Sequence, residues 1–193
     1  MGKQTFQETL VTQQAAGTFF ATYTTAKSVI NPQALLVLPA GFWYVGRKMR
    51  IAFKGNISNI VTTPGLMNFQ VKMGPTANIA VYDSGNIQLN ASAHTKLPFW
   101  AEIELTCRAV GNSTNANLVG LGQYTGFMFT RTAGQTDDAQ GHQTILSPQT
   151  SMAVGTGFDS TTASILDLWV GFTISNAANG IEIMSYAVED LGG

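Results

Sequence analysis

Through residues 97–110 apolar side chains recur at every second position. Phe99, Ala101, Ile103, Leu105, Cys107 and Ala109 alternate with Glu102, Glu104, Thr106 and Arg108. A strand turns successive side chains to opposite faces, so a period of two predicts a strand with one buried and one hydrated face, as in an antiparallel sheet. From Arg47 the same alternation places Met49, Ile51, Phe53, Gly55 and Ile57 inward and Lys48, Arg50, Ala52, Lys54 and Asn56 outward. One solvent face of that strand therefore carries three cations in a row.

The turn signal Thr62-Thr63-Pro64-Gly65 leads into a strand with Met67, Phe69, Val71 and Met73 on one face. Shorter strands are expected at 78–82 and 87–89, and a long glycine-interrupted one at 116–130. Two more close the chain, 164–175 and 180–191, the first with Leu166, Leu168, Val170, Phe172 and Ile174 toward the core and Asp167 on the opposite face. A short strand after Ala34 is closed by Pro39 and Gly41 and followed by the aromatic corner Phe42-Trp43-Tyr44. Residues 133–162 read as a polar, irregular surface excursion.

No segment carries the period of a three-turn helix. Eight to ten short strands with frequent turns predict an all-β fold, an antiparallel two-sheet sandwich of the jelly-roll type with an extended N-terminal arm. The domain reading is residues 1–31 as arm or first strands and 32–193 as a single β-sandwich domain. In the arm, Phe6, Leu10 and Val11 are small apolar groups that could pair within the sandwich or reach a neighbouring subunit.

Composition narrows the setting. With 193 residues the chain fits one domain able to bury its own core, and its one cysteine, Cys107, cannot pair within the chain. Charged residues make up 11% of the chain, well under the ordinary share, so hydration falls to neutral polar groups. Such a surface suits a subunit packed against others, and it predicts a homo-oligomer, with a trimer favoured. A net charge of −1 argues against nucleic-acid binding, which needs a basic field. All ten basic residues precede position 132, where four acids leave an excess of +6; seven acids and no base follow, giving −7. That asymmetry predicts attraction between the two parts, within one subunit or between neighbours, or else a basic docking patch. No apolar run is long enough for a membrane span, and the first residues lack the hydrophobic stretch of a secretory signal, so no membrane partner and cytoplasmic synthesis are expected.

Candidate chemistry is sparse. His94 and His142 are the only imidazoles and neither stands in a triad motif. Glu102 and Glu104, about 7 Å apart on one strand face, have the spacing of a glycosidase pair, yet solvated or intersubunit charge is the plainer role. Asp137, Asp138 and His142 lack calcium or zinc spacing. Neither enzyme activity nor any metal or cofactor is expected. Trp43, Tyr44 and Trp100 are candidate glycan-contacting aromatics, the alternative for each being core or corner packing.

Three segments, residues 38–58 (LPAGFWYVGRKMRIAFKGNIS), 98–111 (PFWAEIELTCRAVG) and 154–161 (VGTGFDST), resemble structural proteins of tailed bacteriophages and prophages. The resemblance spans about residues 34–191 and implies a jelly-roll virion protein, often a capsid decoration or cement subunit that binds the major capsid protein on the head surface. It carries no functional residue set. On this reading the candidate capsid or subunit interface comprises Phe6, Leu10, Val11, Lys48, Arg50 and Lys54. The alternative it leaves open is a tail or fibre module that binds a host-surface glycan.

Overall fold

The computed structural model describes residues 7–60, 63–130 and 143–192. Among these residues fourteen strands follow one another: β1 (Glu8–Thr12), β2 (Phe20–Ala21), β3 (Lys27–Ser28), β4 (Leu36–Leu38), β5 (Lys48–Asn59), β6 (Leu66–Met73), β7 (Ile79–Asp83), β8 (Ile87–Leu89), β9 (His94–Ala109), β10 (Asn117–Gly126), β11 (Phe129–Thr130), β12 (Gln143–Ser147), β13 (Ser164–Phe172) and β14 (Gly180–Gly192). Among the described residues the helical content is a single 3-10 turn, Pro32–Ala34, capped by the Asn31 side chain.

The first sheet runs β1-β14-β5-β9-β10-β12, with β2 also on β14. The second runs β11-β8-β6-β13-β3, with β4 on β13 and β7 on β6. Every strand pairing is antiparallel. Take β1, β3 with β4, β5, β6, β7 with β8, β9, β13 and β14 as eight successive strands. The first sheet then has the order 1-8-3-6 and the second 2-7-4-5, which is a jelly roll; β10 and β12 widen the first sheet beyond it.

The alternation in sequence is what orients these strands. On β5, Met49, Ile51, Phe53 and Ile57 are buried, and on β9 so are Phe99, Ala101, Ile103, Leu105 and Cys107. They face Met67, Phe69, Val71 and Met73 of β6 and Leu166, Leu168, Val170 and Phe172 of β13. Phe69 stacks on Tyr124 at 4.8 Å between ring centroids and lies 5.3 Å from Phe53, with Phe99 and Phe129 edge-on around them. Burying each such ring contributes roughly 1.5–3 kcal/mol, so this cluster is a main source of cohesion between the sheets. The glycines of β10 answer to it: a Cβ at Gly120 or Gly122 would collide with the Tyr82 side chain, whose hydroxyl lies 3.1 Å from that of Tyr124.

In the N-terminal stretch, read as arm or first strands, Glu8–Thr12 and Phe20–Ala21 pair with β14 and Lys27–Ser28 with β13 of the same chain. Two expectations change. Within the stretch expected to be irregular, 143–147 is a regular strand paired with β10. On β13, alternation puts Asp167 on the solvent face, yet it is 4% exposed, with the Ser28 hydroxyl and the Trp169 indole donating to its carboxylate.

Candidate functional site

The outward face of the first sheet carries the ladder of paired charges and, beside it, a surface depression. Cross-strand register sets Arg50 between Glu104 of β9 and Glu189 of β14, and Ala52 between Glu102 and Ala187. The β5 cations thus lie between two acidic columns. Lys48 Nζ is 3.1 Å from Glu104 Oε1, Arg50 Nε is 3.0 Å from Glu102 Oε1, and Arg50 Nη1 is 3.5 Å from Glu189 Oε2. The Arg50 Nε hydrogen is not aimed at Glu102, so that contact is one of charge more than of hydrogen bonding. Lys54 differs. It is exposed, stands in register with Trp100 and Ser185, and has no acidic partner among the described residues.

Beyond β9 the face sinks into a trough of about 310 Å³. Glu102, Glu104, Thr106 and Arg108 form one wall, Val119, Leu121 and Gln123 the floor, and Leu146 with Met152 the far wall. Leu146 is 55% exposed and Met152 50%, comparable with Val37 and Val45 elsewhere on the surface, and here the two stand together on one wall. Sequence reasoning misses these residues because the strand that presents Leu146 has polar ends, Gln143 and Ser147, and both are buried. The one signal in the sequence is Ile145 and Leu146 in an otherwise polar run.

The aromatic candidates separate. Trp43 is 5% exposed, edge-on to Phe42 and Phe158, and offers no platform to a sugar; the corner sequence places it in the core. Tyr44 (44% exposed) sits on the turn before β5, where Gly41 and Gly46 adopt positive φ. Arg47 locks that turn by donating to the Phe42 carbonyl and pairing with Asp190, its guanidinium 3.5 Å over the Phe42 ring. Trp100 (38% exposed) is opposite Lys54, six residues along β5 from Lys48 and so about 20 Å from that turn. The two exposed rings do not form one platform.

Leu10 and Val11 are half-buried on β1, packed against the core edge. Phe6, Asp137, Asp138 and His142 lie outside the described residues. Among the described residues no group of three or more His, Cys, Asp and Glu stands close enough to hold a metal. No helix of the described residues is long and apolar enough to cross a membrane.

Buried ionisable groups lie on both sheets. Asp167 accepts from Ser28 Oγ at 2.9 Å and from Trp169 Nε1 at 2.8 Å, and Lys72 Nζ sits 3.8 Å over the Trp169 ring. Burial pushes the Asp167 carboxyl above the ordinary aspartate range and the Lys72 ammonium below its own, so desolvation outweighs their mutual attraction. On the first sheet the hydrogen bond from Arg47 holds Asp190 below the ordinary range.

No family model and no curated protein matches the chain. Among solved structures it is similar to the CBM2 module of the evolved Dit of Lactobacillus casei BL23 phage J-1. The identity is 10%, the match covers 98% of this chain and 97% of that one, and the TM-score is 0.36. A likeness at that distance assigns no function, and the sandwich stands on its own strand order.

Proposed function

We propose that the chain is a non-enzymatic structural subunit of a bacteriophage virion, a capsid decoration or cement protein that binds the major capsid protein on the assembled head. The observation that carries this reading is the outward face of the first sheet, broad and open, with an internally paired charge ladder beside the exposed Leu146 and Met152. Bare apolar side chains rimmed by charge are what a protein-docking surface needs.

The phage setting is supported by the three segments that resemble virion proteins, which lie together in this fold. Residues 38–58 and 98–111 meet as β5 and β9. Residues 154–161 bridge β10 at Val119–Val154 and the residue before it at Ala116–Phe158, and Ser160 accepts from Gly41 N and Gly111 N at 2.9 Å each. The motifs thus contact one another within one part of the fold. The second reading, a tail or fibre module that binds a host-surface glycan, draws on the exposed Trp100 flanked by Lys54 and Thr125. Antibody labelling of purified virions separates the two. Label over the head is expected, and label confined to the tail tip would overturn the decoration reading in favour of the glycan module.

A further inference from the structure

Asn179-Gly180 is the one Asn-Gly step in the chain; each of the other asparagines is followed by a residue with a side chain. In such a step an asparagine closes readily on its own backbone, because glycine has no Cβ to hold its nitrogen away from the neighbouring carboxamide. The reaction needs only water. Gly180 N bonds to Asn179 Cγ, the Cγ–Nδ2 bond breaks, and ammonia leaves with the proton from Gly180 N. Water then opens the succinimide at either carbonyl, leaving an aspartate or an isoaspartate whose backbone runs through the former side chain.

The fold holds this step still. Asn179 is 0% exposed, and its carboxamide ties together the segments at the ends of β5, β6 and β13. Oδ1 accepts from Ile60 N at 2.9 Å, and Nδ2 donates to Pro64 O at 2.9 Å and to Ile174 O at 3.4 Å. The Asn179 backbone N donates to Asn176 O at 3.0 Å. Gly180 opens β14 in the ladder between Ala21 of β2 and Ser58 of β5. The Phe19 ring lies against it so closely that a Cβ at Gly180 would stand 2.3 Å from Phe19 Cζ. For Gly180 N to reach Cγ, the carboxamide must turn out of its bonds and Gly180 must leave the ladder. Both require this end of the sandwich to open.

We propose that Asn179 is a deamidation site that the folded subunit keeps closed, so that modification there turns a reversible opening of this end into an irreversible one. A carboxylate in place of the carboxamide has no hydrogen to give. It would face the Pro64 and Ile174 carbonyls from a buried position, and burying an unpaired charge or stripping buried acceptors of their donor is costly. The isoaspartate form also lengthens the backbone by a methylene at the start of β14, against the ladder that fixes Gly180. A chain that opens and recloses quickly stays intact. One that remains open is altered and leaves the folded pool, the fate of unfolded chains that are modified faster than they refold. The chemistry is independent of what the subunit docks onto.

Peptide mapping by mass spectrometry reads the site in wild-type protein held in mildly alkaline buffer, either folded or unfolded in guanidinium chloride. Conversion of Asn179 is expected at least about tenfold faster in the unfolded protein than in the folded one. Gly180→Ala, followed in denaturant where folding plays no part, is expected to slow conversion by about tenfold or more, as loss of the glycine route requires. On removal of denaturant, chains with intact Asn179 should regain native circular dichroism, and converted chains, separated by their added negative charge, should not. Asn179→Asp supplies the carboxylate without the isomerised backbone. It is expected to lower the ratio of folded to unfolded chains by about tenfold or more, or to leave the chain unfolded. Conversion at equal rates in folded and unfolded protein would overturn the proposal, because the fold would then give no protection. So would converted chains and Asn179→Asp that refold to wild-type stability, which would mean that the site accepts the charge.

Discussion

Asp167 and Asp190 carry the same side chain into opposite environments, and the difference is measurable as stability against pH. Asp190 is held low by Arg47, so its stabilising effect is complete above the ordinary aspartate value of about 3.9 and is lost as pH falls through its lower folded value. Asp167 is held high by burial, so the unfolded chain ionises first as pH rises, and stability falls between the ordinary value and the raised folded one. Asp190→Asn should therefore lower stability at pH 7 by about 1–2 kcal/mol, with the deficit disappearing as pH falls through the lowered folded value of Asp190. Asp167→Asn keeps an acceptor for Trp169 Nε1 and removes the desolvated charge, so it should equal or exceed wild type at pH 7 and lack the decline above about pH 4. Urea unfolding across that pH range checks both, and a loss of more than about 1 kcal/mol in Asp167→Asn at pH 7 would show that the buried charge stabilises the fold.

At the scale of the strand, the ladder of β5 with β9 and β14 is the element most nearly legible in the sequence. Alternation over 47–57 and 98–109 sets which residues face the core, and a face with three cations beside a face with two glutamates has pairing as its simplest outcome. The charge split along the chain has the same resolution. Arg47–Asp190, Arg50–Glu189 and Lys96–Glu182 each join a base from the first part to an acid of β14, inside one subunit. What alternation does not reach is a strand whose buried face is polar. Ser147 is buried because its carbonyl accepts from Tyr82 Oη at 3.0 Å and its hydroxyl donates to the Ser84 carbonyl, partners 65 and 63 residues away. No local pattern encodes such contacts, so β12, and with it the trough wall at Leu146, leaves no mark in the periodicity. Asp167 escapes alternation for a related reason: Ser28, which donates to it, lies on β3, a strand of two residues too short to show a period. Because the ladder pairs are half-exposed, replacing Lys48, Arg50 and Lys54 together by Gln should change unfolding free energy by no more than about 1 kcal/mol per pair. A larger loss in chemical denaturation would mean that the ladder holds the sheet together.

Across the whole molecule, internal pairing decides what the subunit presents to a partner. Lys48 and Arg50 neutralise their own glutamates, so their field beyond a Debye length of about 8 Å is small, and the cation of β5 left to act outward is Lys54. A docking surface that uses this face therefore draws its affinity from the apolar trough and its salt dependence from Lys54. The division gives distinct outcomes for single substitutions in a capsid-binding titration. Lys54→Gln should weaken binding by a few fold at low salt, match wild type at high salt, and so flatten the salt dependence, because a peripheral charge acts mainly on encounter. Lys48→Gln should have the larger effect on an acidic coat surface, since it uncovers Glu104 and turns a neutral pair into a repelling charge. Leu121→Ser, in the trough floor, should weaken binding equally at every salt concentration, as loss of apolar contact does. Wild-type binding by both lysine variants across the salt series, with Leu121→Ser still impaired, would remove β5 from the docking surface and leave the trough between β9 and β12 as the contact.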